Sequence, residues 1–579
     1  MAKQKDPRPK NKKALIEKLR KRKPVFLDGQ SASSKKTDTT AARGIAASGL
    51  EQYTGVWGET QALHLLNRAL FGVKKSELEH FKSLTLTQSV AELLIPSAAP
   101  NAPVNDYNNY DNDNFNDAAV AEGEPWIDAP YGDDAEGLRT ISLKGWWIKN
   151  IINQEATLSE KMLFFWHNLL AIQTWEVFTG KASYQYVEML RANSFGNYKT
   201  LIKELTKNPA MLFFLNGTFN EKDAPDENYG RELQELFCIG KGEGANFTEG
   251  DVQAAARVLT GWVVDFDSIN QKAMPKSLFQ SDIHDTSDKQ FSSFYGNTVI
   301  SGKTGAAGAE ELDDMLDMIF GTNELATYIS RRIYNFFVSS NIDETVEQNM
   351  IQPMAELFRA NNYEIVPLLE ALFKSAHFYD ALTMGVHIKN PGEHAMGIWR
   401  TLDTPPLSGE SLRTNLQFHS FFLWEMGDMG MEIGDPPSVS GWTAYYQTPQ
   451  FDKAWITTAT ITLRALVTDA MVFEYMWVND DIQAGADLIH FVSGLNNPGD
   501  ATDMLTESTQ LLLGLPATTD MITTLKEILL SGQVTDAYWS GAWFDYVGNP
   551  NDEGFRQVLE NRLRPTFQHI LQFAESQLM

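Results

Sequence analysis

The stretch EKDAPDENYGRELQELFCIGKGEGANFTEGDVQAAARVLTGW, residues 221–262, reads as two helices joined by a glycine-rich turn. Pro225 and Asp226 form a start signal, because an aspartate at a helix N-cap accepts from backbone donors that lack an intrahelical partner and offsets the helix dipole. From there Asn228, Arg231, Glu232 and Glu235 recur at i, i+3, i+4 and i+7, so four polar side chains share one face. Leu233, Leu236 and Phe237 face the other way. Gly240 and Gly242 supply the stop, since glycine enters the left-handed geometry beyond a helix end without strain. Thr248, followed three residues later by Asp251, is a capping signal for a second helix with Val252, Ala255, Ala256 and Leu259 as its apolar stripe.

The same periodicity extends in both directions. Thr60 is expected to cap a helix marked by Leu63, Leu66, Asn67 and Leu70 and ended by Gly72. Helical patterning returns over residues 143–175, where Thr157 or Ser159 starts a helix with Glu160, Phe164 and His167 along one stripe. Residues 184–215, 310–320, 324–338, 346–361, 365–377, 454–468 and 561–578 are further helix candidates, and Trp146, Trp166 and Trp262 stand in helical contexts. Residues 101–137 form a long polar loop. Its DYNNYDNDNFND run (106–117) has oxygen ligands of the kind calcium prefers, but it lacks an EF-hand's turn glycine and terminal glutamate and reads as solvated. Residues 265–302 look irregular, with room for a short hairpin. Strand signals are few, so the fold class is mainly α: a disordered basic tail over 1–50, a large helical body over 51–480 with long irregular loops, and a C-terminal helical region over 481–579 packed on it.

Charge and cysteine usage narrow the function classes. The chain has 579 residues and a net charge of −27, yet residues 1–24 carry eleven Lys or Arg against Asp6 and Glu17, a local +9 that leaves −36 on the rest. So acidic a body repels phosphates and argues against broad nucleic-acid binding, while the basic tail, including a short helix over 14–23, is available to an anionic partner. The single cysteine, Cys238, excludes an internal disulfide and any multi-cysteine metal site. No apolar run follows the basic start, and no segment approaches the roughly 20 apolar residues of a membrane helix. The expectation is a cytoplasmic protein, with export alongside a partner as the alternative.

Seven stretches occur together in an order that resembles the large bacterial family catalogued as domain of unknown function 1800. They are HLLNRALFG (64–72), EKMLFFWHN (160–168), ENYGRELQELFCIG (227–240), FTEGDVQAAARVLTGW (247–262), HDTSDKQF (284–291), IKNPGEHAMGIWR (388–400) and GDPPSVSGW (434–442) with a later AWI (454–456). The resemblance implies no established activity. It does imply a partnership with proteins of the DUF 1501 type, which resemble phosphatases and sulfatases. Two departures stand out: Leu169 and Leu170 lie where the family commonly has a second histidine, and the usual export signal is missing.

These motifs nominate site residues. His167, alone in an apolar helix, is either a satisfied core histidine or an acid/base or metal group, since imidazole titrates near neutrality and binds first-row metals. His284 and Asp285 suit metal chemistry or a turn held by aspartate hydrogen bonds. The polar face of Arg231, Glu232 and Glu235 is either a solvated helix face or, if buried, a wall offering a spare carboxylate for proton transfer. Asn228, Arg68, Arg257 and Arg400 are candidate binding residues, and Trp442 is the best candidate for an exposed ring. The leading expectation is acid/base chemistry, or chemistry assisted by a divalent metal on His167, His284 and Asp285, acting on a polar substrate. The alternative is a non-catalytic scaffold for the DUF 1501-like partner, using the acidic surface and the aromatic segment.

Overall fold

The computed structural model describes residues 48–110, 115–242, 244–407 and 409–579. The basic tail and its short helix lie outside the described residues, apart from residues 48–50. Of the two helices expected within 221–262, the second forms as read: Glu249–Val258 carries a full capping box between Thr248 and Asp251. The first is Asn228–Glu232, with the Asp226 carboxylate accepting the Asn228 N–H at 2.8 Å. It then widens into a π-helical turn, Leu233–Cys238, before Gly240 ends it at φ +84°. The extra residue in a π turn rotates everything beyond it, which a strict 3.6-residue period does not foresee.

Helices dominate, and the strands among the described residues are three two-stranded antiparallel pairs. The mainly α class is what the periodicity indicated. The hairpin allowed for within 265–302 is Lys289–Gln290 paired with Val299–Ile300, and a second pair joins Trp262–Asp265 to Lys276–Phe279, so Trp262 opens a strand and is not helical. Several helices shift from their expected bounds: Glu59–Ala69 starts ahead of Thr60, and residues 184–215 fall into three helices, Gly180–Asn193, Tyr198–Lys207 and Pro209–Phe214. The Phe451–Trp455 turn is 3-10, and Thr457 and Thr460 bond each other's N–H groups, so the helix is Thr460–Val472. Asp552 caps the last long helix, Glu553–Gln572, ahead of where its apolar stripe is evident. No described helix is long and apolar enough to cross a membrane.

Buried apolar residues from Ala62 to Leu571 form one continuous cluster. Its centre is the helix Pro391–Thr401, all eleven of whose residues are buried. It packs against Glu136–Ile152, Leu412–Asp428, Thr460–Val472 and Ala501–Leu513. Local chemistry explains its start: Asn390 accepts from the Glu393 N–H, Glu393 accepts from the Asn390 N–H, and Pro391 sits where no N–H is needed. Gly397 faces Gly72, just beyond the helix Glu59–Ala69. At φ +83°, a Cβ on Gly72 would stand 2.1 Å from the Gly397 carbonyl oxygen, so two backbones touch where a side chain would hold them apart.

Candidate functional site

The structure places the expected residues in three separate neighbourhoods. His167 is wholly buried on the helix Ser159–Leu169. Its Nδ1 lies 3.3 Å from the Tyr186 hydroxyl, which itself donates to the Leu170 carbonyl at 2.6 Å. Nδ1 is therefore the donor and Nε2 carries a bare lone pair, which has no partner among the described residues. Trp147 and Trp442 stand edge-on to the ring at 5.2 and 5.6 Å. Burial, and then the Lys144 ammonium, push this imidazole down to about 3, so it is neutral at physiological pH.

His284 is also buried but fully bonded. Its Nδ1 meets the Thr260 carbonyl at 2.8 Å, and its Nε2 meets Glu311 Oε1 at 3.1 Å. The other Glu311 oxygen pairs with Lys289 at 2.6 Å. Asp285 binds Arg257 Nε at 2.7 Å and the Ser287 N–H at 2.8 Å; burial opposes its ionisation, but these bonds hold its carboxyl well below the usual range. The structure thus joins two nominated residues, Arg257 and Asp285, at one place.

The face of the first helix is half-buried. Arg231 reaches Glu249 at 2.6 Å, Glu227 at 3.0 Å and Glu235 at 3.6 Å, and Glu235 pairs with Lys241 at 2.5 Å. Burial, and then Glu235, raise the Glu232 carboxyl. Asn228 belongs to the same half-buried face. Among the described residues, the ion-pair partners of this face include neither His167 nor His284.

Trp442 is only 1% exposed, which corrects the expectation of a free ring. Gly441, at φ +85°, brings the loop onto Asn168, whose side-chain oxygen accepts the Trp442 N–H at 3.0 Å. The indole then stacks on Phe164 at 5.1 Å. Within the aromatic segment Trp442, Ala444 and Tyr445 belong to the core, whereas residues 447–450 are exposed. In the polar loop, Asp106 accepts from Ser142 at 2.6 Å and Asp117 pairs with Arg139 at 2.7 Å, so the two ends of the 106–117 run are engaged; residues 111–114 lie outside the described residues. Among the described residues no three His, Cys, Asp or Glu side chains come together as a metal site requires.

A different centre forms where three of the quoted motifs meet. Lys161, from the second motif, makes a short ion pair with Glu393, from the sixth, and both are buried. Lys161 also lies over the Phe71 ring at 4.7 Å. Arg68, from the first motif, is 1% exposed and donates to the Thr383 carbonyl at 3.3 Å. His394 Nε2 meets the Arg464 carbonyl at 3.1 Å, and Arg464 bonds the Gln577 side chain and the Lys389 carbonyl. Asp452 accepts from Ser340 at 2.8 Å and from the Ile388 N–H at 2.9 Å. Lys389, half-buried along its length, has its ammonium on the Ser576 and Leu512 carbonyls at 3.1 and 3.4 Å.

Burial sets the protonation states here. Arg68 is lowered to about 10, Lys389 to about 8 with Arg464 adding to the effect, and His387 to about 4 with Arg68 adding to it. Burial works against ionising Glu393, but Lys161 and His387 hold its carboxyl below the usual range. Beside these groups is a cavity of about 20 Å³, with room for roughly one water-sized group, lined by Asn67, Gly72, Lys389, Glu393 and Gly397 among others. Asn67 and Lys389 are half-buried, so the cleft reaches towards solvent.

A family model described as "Protein of unknown function (DUF1800)" matches residues 64–561. The chain belongs to the DUF1800 family. No curated protein and no solved structure matches it. Within this DUF1800 chain, Arg68 is the one nominated residue at the charged centre. Arg400 lies close by and clamps the Gly72 carbonyl, Glu77 and the Gln154 carbonyl. Lys161, His387, Lys389, Glu393, His394, Asp452 and Arg464 were not singled out from sequence. The available signal was a charged residue inside an apolar helical run, as with Lys161 in EKMLFFW and Glu393 in PGEHAMGIW. Asp452 carries no comparable local signal.

Proposed function

We propose that this DUF1800 protein is an enzyme performing acid/base chemistry on a polar substrate at the charged centre, with Lys389 transferring the proton. The observation that carries the reading is that Lys389 and Glu393 line one cleft while Lys389 is held near neutrality. An amine that titrates at about 8 is a competent base at physiological pH, whereas an ordinary lysine is almost wholly protonated. Glu393, bonded to Lys161 and to the Asn390 N–H, keeps the negative charge that orients a cationic or hydroxylic group. The test is turnover of a panel of polar esters, amides and phosphoesters by wild type and Lys389→Met. The expected result is an activity whose rate rises with pH through about 8 and is lost in K389M. Activity that survives K389M, or no turnover across the panel, overturns the reading.

A second reading is a protein partner, with the DUF 1501-like protein implied by the resemblance as its candidate. What favours it is an apolar surface at the helix Ala537–Gly548, where Phe544 is 63% and Val547 53% exposed. Titration of the purified DUF 1501-like protein tests it: binding that weakens in Phe544→Ser supports the partnership, and absence of binding removes it.

A further inference from the structure

The cleft bounded by the helices Glu59–Ala69, Pro391–Thr401 and Ala501–Leu513 has about 20 Å³, room for one water and little more. Four polar residues line it, Asn67, Lys389, Glu393 and Thr401. The Lys389 main chain is engaged, its N–H by the Gln577 carbonyl at 2.8 Å and its carbonyl by Arg464 Nη2 at 3.1 Å. Its ammonium has three N–H bonds, and two of them go to the Ser576 and Leu512 carbonyls. Leu512 is itself part of the wall, so the ammonium stands at the cleft, and no acceptor among the described residues takes its third proton. Thr401 Oγ1 accepts the Val73 N–H at 3.1 Å, which leaves its own O–H to give. The Asn67 side-chain amide has no hydrogen-bond partner among the described residues. The wall therefore offers donors and an acceptor that the chain does not use, enough for the bonds a buried water makes.

We infer that this cleft binds a single water that is the nucleophile of the reaction, positioned by Asn67, so that the chemistry at the centre is hydrolysis; the inference rests on the reading of Lys389 as the base. When Lys389 is neutral, the Ser576 and Leu512 carbonyls take its two N–H bonds, and the lone pair is left with the one remaining direction. The water gives a proton to that lone pair as its oxygen bonds to the acyl or phosphoryl centre of the substrate. The ammonium so formed returns a proton to the leaving group as its bond breaks, and no further reactant is required. The Asn67 amide oxygen accepts the water's other O–H, which fixes where the attacking oxygen points. Asn67 and Lys389 are both half-buried, so the substrate meets the water from the solvent side. Size selects the nucleophile as well: an alcohol or amine acceptor is larger than the space the cleft holds, so transfer to such acceptors is not expected.

The test combines a crystal structure of the full chain, fine enough to show ordered water, with kinetics on whichever ester, amide or phosphoester it turns over. The structure is expected to show one water within hydrogen-bond reach of Lys389 Nζ and the Asn67 amide. Mass spectra of enzyme quenched during turnover are expected to show no adduct on Lys389, and added methanol to give no methanolysis product. Asn67→Leu, which keeps the bulk and removes the amide, is expected to lose the water and to slow hydrolysis about tenfold or more, while the rate still rises with pH through about 8. Should N67L fail to fold, Asn67→Ala carries the same expectation. A cleft without the water, an acyl or phosphoryl adduct on Lys389, a methanolysis product, or a wild-type rate in N67L each overturns the inference. If Lys389-dependent turnover is found with any of these, this inference fails alone; if the water is in place and nothing is turned over, the enzymatic reading fails and takes the water's role with it.

Discussion

Gly72 and Gly397 meet backbone to backbone, the first held at φ +83° directly against the carbonyl of the second. Their contact seats the Glu59–Ala69 helix against the Pro391–Thr401 helix and borders the cleft. The pair is not symmetric. Gly72→Ala meets both a strained φ and a carbonyl 2.1 Å away, whereas a Cβ on Gly397 would meet its nearest atom at 3.3 Å. Denaturant titration is expected to show a loss of about 2 kcal/mol or more for G72A and a clearly smaller loss for G397A. Equal losses would remove the crossing as the cause.

Glu393→Gln strands the Lys161 ammonium in the interior. Breaking a buried pair by removing one partner costs about 3–5 kcal/mol, and the double variant Glu393→Gln, Lys161→Met is expected to recover part of it. Because the folded-state carboxyl of Glu393 lies below its unfolded value, its contribution is present above the ordinary glutamate range and is lost as pH falls through the lower folded value. Unfolding curves of E393Q should therefore lack that step at low pH.

Acid should act earlier than the carboxylates alone suggest. His64, His167 and His419 are pushed down to about 3 by burial, and His387 to about 4. Between these values and the ordinary 6.5, the unfolded chain binds more protons than the folded one, so stability falls as pH drops below about 6.5. Each such histidine contributes a slope of about 1.4 kcal/mol per pH unit in that window. Melting temperatures at pH 7.5, 6 and 5 measure this, and His64→Gln is expected to flatten the dependence. A melting temperature constant between pH 7.5 and 5 contradicts it.

The capping box of the helix Glu249–Val258 predicts an ordered pair of losses. Thr248→Ala removes one cap and is expected to cost about 1 kcal/mol. Asp251→Ala costs more, since the same buried carboxylate also accepts the Ser292 N–H at 2.6 Å. Equilibrium unfolding of the two single variants checks the ranking.

The sequence made the helices and their caps legible because those signals are local: Thr248 with Asp251, and Asn390 with Glu393, act within one turn. The π turn at Leu233–Cys238 was not legible, since a 3.6-residue period assumes the regularity it breaks. Trp442 was misread because its burial depends on its N–H reaching Asn168, 274 positions away, as Gly441 folds onto that residue. The charged centre escaped for the same reason. Lys161 and Glu393 each stand out only as a charge within an apolar helical run, and nothing local says that they meet each other and Arg68.

The contacts at Gly72 also tie distant parts of the chain together. The Arg400 side chain reaches the Gly72 carbonyl across 328 positions of sequence, so neither half of the charged centre is complete until the chain between them has closed into a loop of that length. Lys161 and Glu393 are themselves 232 positions apart, so their ion pair also needs a long loop to close. A polypeptide interrupted before residue 393 would present Lys161 without its counterion and the first helix without its seat.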